Sequence, residues 1–339
     1  MRQDWTDFLA GAGAKNGGED FGDARGEAQA AATGTVVAPL TDFGLIRATG
    51  EDKAPFLHNL LTNDVRNLAP DAVRFAGLCT AKGRLIASFN LWHDGDGLML
   101  MLSSDILPGI LKKLSMYVLR SKVKLTDASD ERVLIGLAGP AAEAALLELG
   151  ASVPFPLQVV PFEHGQALRL DERRLVLSVD AAAAPAVWAK LAAKARPVGK
   201  AAWRWLEIAA GQPRIVAATQ EAFVPQMANF ETPAVGGVSF TKGCYPGQEI
   251  VARAQYLGKV KRRMYRAHLD SEIVPGTHVF APETGDQHCG DIALSAPSPE
   301  GGYDALVVVQ ASCAEAGQVH VGAPAGPQLK FGALPYAVG

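Results

Sequence analysis

Between residues 239 and 253 the chain reads SFTKGCYPGQEIVAR, and several of these side chains carry chemistry at short spacing. In an extended backbone residues i and i+2 share a face, which sets Lys242 beside the thiol of Cys244. An ammonium there favours the thiolate, the nucleophilic form of cysteine. Gly243 and Gly247, with Pro246 between them, make a tight turn that opens backbone N–H groups toward a ligand. Gln248 and Glu249 add polar groups where a helix or strand begins. No histidine, asparagine or aspartate partner is assigned to Cys244 by spacing, so a protease-like dyad is not indicated. Spacing alone leaves two readings open, a functional thiol and a small half-buried turn residue.

The other reactive side chains are dispersed. Four cysteines, at 79, 244, 289 and 313, form no CxxC pair. That pattern suits a reducing compartment and indicates no disulfide frame, zinc site or protein-bound iron–sulfur cluster. The seven histidines are scattered; His288 beside Cys289 reads as a surface loop pair, and no metal site is expected. In AAWRWLEIAAGQPRI, Trp203 and Trp205 lie on a helix ending at Gly211. Tryptophans two apart point to different sides, so at most one is simple core, and the other offers a flat wall to an aromatic ligand. Arg253, Lys259, Lys261, Arg262, Arg263 and Arg266 form a basic run that suits phosphates or a solvated face. Tyr256 and Tyr265 alone interleave it, thin support for base stacking. A net charge of -3 over 339 residues gives no global attraction to nucleic acid or membrane. No apolar stretch approaches the roughly 18–20 residues of a bilayer span. MRQDWTDFLAG lacks the apolar core of a secretory leader. A cytoplasmic protein is expected, without membrane or DNA partners.

The elements that must position these residues are short and mixed. Residues 1–35, rich in Gly and Ala, are expected to be a flexible arm that cannot offset its ordering entropy. Residues 36–130 form a first domain: a strand in FGLIRATG, a helix from about Asp52, then VRFAGLCTAKGRLIASFNLWHDGDGLMLML as three antiparallel strands. Residues 131–250 form a second domain, with strands in RVLIGLAG and RLVLSVD and Ala-rich helices. Residues 251–339 read as an all-β tail, a small barrel or sandwich. The class is α+β, helices covering antiparallel sheets.

KGCYPGQEIVAR closely resembles the K-G-C-Y-x-G-Q-E signature of the YgfZ family of folate-binding proteins, relatives of the glycine cleavage T-protein. The preceding GQPRIVAATQEAFVPQMANFETPAVGGVSFTKGC and the following YLGKVKRR are similar to that family too. The resemblance covers roughly residues 36–339. It implies a ring of two α+β domains and a C-terminal β-barrel around a site for tetrahydrofolate or a derivative. It also implies a role supporting assembly or repair of iron–sulfur proteins, which are transient partners, and through them the thiolation of tRNA, with tRNA contacted indirectly. Carried over by motif, Lys242 and Cys244 are the functional pair, with Tyr245, Gly247, Gln248, Glu249 and Arg253 completing it. Trp203 matches an indole of the folate pocket, and Phe43 stands where some relatives carry Trp. Gln226 or Asn229 suits the pterin, and Arg253 or Arg262 the glutamate tail. The T-protein carries acidic residues where this chain has Ala87 and Ser88, and one of them serves aminomethyl transfer. Classical aminomethyltransferase activity is therefore not expected, and a tetrahydrofolate-dependent one-carbon transferase is the alternative reading.

Overall fold

In the computed structural model, residues 3–258 and 260–338 are described. The contiguous apolar runs of the first half form strands covered on both faces. Leu85–Asp94 and Gly97–Ser103 are buried along nearly their whole length. They are joined by a two-residue turn at Gly95–Asp96 that pairs Asp94 with Gly97. Gly95 takes φ 59, the left-handed conformation such hairpin turns require. These strands belong to a five-stranded sheet in the order Arg74–Cys79, Leu85–Asp94, Gly97–Ser103, Phe43–Thr49, Lys124–Asp127. A second, six-stranded sheet is ordered Arg196–Pro197, Val36–Pro39, Arg132–Ala138, Arg174–Asp180, Gly165–Arg169, Val159–Phe162. Among the described residues of that sheet only the edge pair, Val36 with Arg196 and Val37 with Pro197, is parallel.

The chain divides into two compact units. The first takes it to Phe56 and adds Asn67–Arg74 and Asn90–Leu206; the second holds Leu57–Arg66, Phe75–Phe89 and the chain from Glu207 onward. The second unit contains a curled, antiparallel six-stranded sheet ordered His320–Val321, His278–Phe280, His288–Pro297, Tyr303–Gln310, Arg262–Leu269, Lys330–Gly332. Alternate residues of these strands, Ala267, Leu269, Ala305, Val307 and Val309, face one apolar core. The α+β class holds, though the tail is not free of helix. Gln248–Tyr256 and Ala311–Ala316 are helical, and the expected boundary at 250 falls inside the first of them. Lys259 of the basic run lies outside the described residues.

The flexible arm is corrected by the structure. Gln3–Gly11 and Ala24–Thr33 are helices. Trp5 and Leu9 sit in the core of the first unit, where Trp5 meets Trp188 edge-on at 5.9 Å and Phe21 stacks on the same ring at 6.1 Å. Ala28 and Ala31 are fully buried, small enough for the second helix to pack closely. Glu27 is buried too. Its carboxylate accepts the N–H groups of Phe21 at 2.7 Å, Asp23 at 3.2 Å and Gly199 at 2.7 Å, so charge-assisted bonds anchor a stretch with little apolar mass. Trp5→Ala should lower folding stability by roughly 3 kcal/mol or more. Urea unfolding measures this, and a loss below about 1 kcal/mol would mean that the first helix does not belong to the core.

Candidate functional site

The loop that carries Cys244 is held by a short segment far away in sequence. After the helix Lys53–His58, the chain HNLLTND turns polar inside an apolar run and folds back under residues 236–242. Thr62 Oγ1 donates to the Gly237 carbonyl at 2.6 Å and accepts the Gly77 N–H at 2.7 Å. Asn63 Nδ2 donates to the carbonyls of Gly236 and Phe75 at 2.7 and 2.8 Å. Ser239 N–H donates to the Thr62 carbonyl at 3.0 Å.

Lys242 closes this set. Its side chain is only 8% exposed, and its ammonium donates to the carbonyls of His58 and of Leu61, the latter at 2.7 Å. It also lies 4.8 Å from the centre of the buried Tyr245 ring. Burial pushes the ammonium down to about 8, while Asp64 and Cys244 pull toward the charged form. Burial, with Lys242 next, also lowers His58, whose Nδ1 lies 3.0 Å from Asp64 Oδ1. Lys242 and Cys244 therefore sense each other electrostatically, but the lysine's hydrogen bonds go inward to main-chain carbonyls while the thiol stays exposed. The sequence rule of alternation assumes extended backbone, and this segment bends at Thr241–Lys242 and runs irregularly to a turn at Pro246–Gly247.

The turn ends at Gly247. Its φ of 80 is left-handed, and a Cβ there would lie 2.6 Å from the Gly83 nitrogen. Gly83, with φ 69, sits in the turn between Arg74–Cys79 and Leu85–Asp94, and its own Cβ would press on Ile250 at 3.0 Å. Two glycines thus let the loop and the hairpin turn touch backbone to backbone. The helix Gln248–Tyr256 then begins, with Gln248 half-buried and Glu249 and Arg253 exposed. Cys244 is the one exposed thiol of the four. Burial raises both Cys79 and Cys289 to about 12, which keeps them protonated and inert. Burial, with Cys79 next, raises Tyr245 as well.

A second polar group lies deeper in the same unit. Gln226 and Asn229 have no exposed surface. Each spends its amide N–H on backbone, Gln226 on Val251 at 2.7 Å and Asn229 on Met264 at 2.9 Å. Glu231 pairs with Arg263, and Arg263 also donates to the Gln226 carbonyl at 3.0 Å. Tyr336, raised to about 12 by burial, donates to Gly211 at 2.7 Å and lies beside Asn229 and Glu231. Gln226 Oε1, Asn229 Oδ1 and Glu231 Oε2 are buried acceptors with no hydrogen-bond partner among the described residues. Elsewhere in this unit, Glu207 pairs with Arg214 at 3.2 Å, and Ser88 Oγ accepts the Ile215 N–H at 3.0 Å. Glu231, Tyr336 and the bracing segment 58–63 were not anticipated. Their only sequence signal is polar side chains set inside apolar runs.

The expected aromatic wall is not found in the first unit. Trp203 is 2% exposed and packs over Gly136, where a Cβ would meet its ring at 2.6 Å. It is a core side chain. Trp205 is also buried, against the expectation that only one of the pair would be. Phe43 is buried beside a small pocket that it lines with Trp5, Leu45 and Ser129. Arg262 is half-buried on a strand of the curled sheet.

Lys242→Met keeps the aliphatic stem and removes the charge. Between pH 8 and 10.5 the unfolded lysine holds a proton that the folded one has lost, so raising pH through this window favours folding. The stability of the wild type relative to Lys242→Met should rise by roughly 2–3 kcal/mol across it and be lowest below pH 8. Denaturant unfolding of both proteins on either side of the window tests this; a pH-independent difference would put the ammonium in solvent.

A family profile for the GCVT N-terminal domain matches residues 18–231. The "tRNA-modifying protein YgfZ" of Vibrio vulnificus (strain YJ016) is 39% identical over 248 residues, which cover 73% of this chain and 72% of that protein. The protein of the same name from Sodalis glossinidius (strain morsitans) is 32% identical over 313 residues, covering 88% and 92%. Among solved structures, the glycine cleavage system aminomethyltransferase T from Bartonella henselae superposes with a TM-score of 0.74 over 92% of this chain and 89% of that one. At 18% identity that likeness is one of fold. Together with the KGCYPGQE loop these matches assign the chain: it belongs to the YgfZ family, built on the fold of the glycine cleavage T-protein.

Proposed function

We propose that this protein binds a reduced folate and acts as an accessory to iron–sulfur proteins and, through them, to tRNA thiolation, with Cys244 as its working thiol. The observation that carries this reading is the loop itself. A buried ammonium, a bracing segment and two opposed glycines are spent on holding one exposed cysteine in a defined turn. A cysteine that merely fills a turn needs none of these. The names of the relatives, tRNA-modifying proteins, agree with it.

The residues present suit a pterin. Its ring N–H and amino groups are donors, and the second unit holds the buried acceptors Gln226 Oε1, Asn229 Oδ1 and Glu231 Oε2 without partners. These three side chains would hold the ring edge, with Arg253 or Arg262 taking the negatively charged tail. When bound, a reduced folate supplies a carrier for one-carbon units. The chain's own part is to orient that ring and to keep Cys244 accessible. At Ala87 and Ser88 no carboxylate stands ready for an amine, and the Ser88 hydroxyl is engaged by Ile215 N–H. That supports an accessory role over aminomethyl transfer.

In a bacterial strain lacking its own YgfZ protein, this chain should restore iron–sulfur enzyme activity and tRNA thiolation, and Cys244→Ala should restore neither. Full restoration by Cys244→Ala would remove the thiol from the function. Gln226→Met, near-isosteric but without the amide, should weaken binding of a reduced folate about tenfold in calorimetry. Unchanged affinity in a folded variant would move the ligand elsewhere.

A further inference from the structure

Along a regular strand, residues three apart face opposite sides. His288 and Asp291, three apart, nevertheless lie on the same face. The strand pairing explains this. His278 pairs with Asp291, Val279 with Gly290 and Phe280 with His288, so the register slips between Val279 and Phe280 and leaves Cys289 as an extra residue. Such a bulge changes the parity of the strand beyond it. Cys289 turns inward, buried, with its sulfur 3.4 Å from the Val279 carbonyl, and His288 is delivered to the outer face beside Asp291. His278, directly across from Asp291, completes the group. The two imidazoles stack at 4.4 Å with 20° between their planes, and His278 Nδ1 lies 2.6 Å from Asp291 Oδ1. One donor atom from each of the three residues falls within 4.8 Å of the others.

We infer that His278, His288 and Asp291 form a binding site for a divalent transition-metal ion of the zinc class. Two imidazoles and one carboxylate are a nitrogen-rich donor set that suits zinc, iron, nickel or copper and not magnesium or calcium. An ion with bonds of about 2.0–2.2 Å in tetrahedral geometry sets its donors roughly 3.3–3.6 Å apart, so the 2.6 Å contact of His278 Nδ1 with Asp291 Oδ1 opens and the wider separations close. The side chain of His278 is 57% exposed and His288 is exposed, so both are able to turn inward, while Asp291, 13% exposed, is the fixed member. The proton shared by His278 Nδ1 and Asp291 Oδ1 is released, and the cation takes its place. A simple ion pair accounts for His278 and Asp291 but leaves the stacked His288 without a role, and two protonated rings at this distance would repel. Three protein donors leave at least one coordination position for water. The surface loop pair expected at His288 and Cys289 is thus divided by the bulge, the thiol going to the core and the imidazole to the site.

The site is independent of the folate reading and is tested on the full-length protein. Calorimetric titration with zinc chloride in a non-coordinating buffer should give one equivalent bound. His288→Ala and Asp291→Asn should each weaken it about tenfold or more, and the double variant His278→Ala/His288→Ala should abolish it. Cys244→Ser should leave it unchanged, since that thiol is the competing ligand to exclude. Thermal unfolding confirms that the variants are folded, which the exposure of His278 and His288 favours. No stoichiometric binding by the wild type, binding that persists in the double variant, or binding lost in Cys244→Ser would each overturn the assignment.

Discussion

The ammonium of Lys242, buried against two main-chain carbonyls, is the constraint on which the candidate site depends. Taking a lysine charge out of water is unfavourable, and the lowered proton affinity measures that penalty. It is offset by charge-assisted bonds to His58 and Leu61 and by the adjacent Tyr245 ring. Those bonds have strict geometry, so satisfying them fixes where residues 242–245 run. Thr62 and Asn63 do the same for the strand of backbone just before, using neutral side-chain bonds. The result is a loop with no regular secondary structure and few conformational choices.

That rigidity divides the labour between two adjacent side chains. Lysine goes in and cysteine stays out. The thiol is presented by a framework whose polar groups are already engaged, so access by a reagent or partner does not require the loop to open. Deeper in the same unit the situation is reversed. Gln226, Asn229 and Glu231 have their donors or one oxygen committed and keep an acceptor unpaired. An unpaired buried acceptor is tolerated where a ligand later supplies the donor.

Much of the framework was legible from residue pattern. The hairpin at Gly95, the strands from 262 to 310 and the helix Lys200–Ala209, two residues shorter than expected, follow from apolar periodicity and turn chemistry. The KGCYPGQE loop was legible as a specific motif, though not the direction of its lysine. The N-terminal helices were missed because a Gly- and Ala-rich segment looks too poor in apolar mass. Close packing of alanine and the bonds of one buried carboxylate supply what its composition lacks. The resemblance implies a ligand wall at Trp203, yet helix period says which side a residue faces and not what lies there, and what lies there is Gly136. The His278–His288–Asp291 group was illegible for a third reason. A bulge alters strand parity, and nothing in the spacing announces it.

The bond from Lys242 to Leu61 spans 181 residues. Chains are made from the N-terminus at roughly 5–20 residues per second, so on the order of ten seconds or more separates the two partners on the ribosome. Through that interval the His58–Leu61 carbonyls wait without the cation that completes them, and a nascent chain has no framed thiol to offer. Assembly of the loop is therefore tied to long-range closure and not to local propensity. Any product of translation that stops short of residue 242 therefore carries the His58–Leu61 carbonyls without the lysine that engages them.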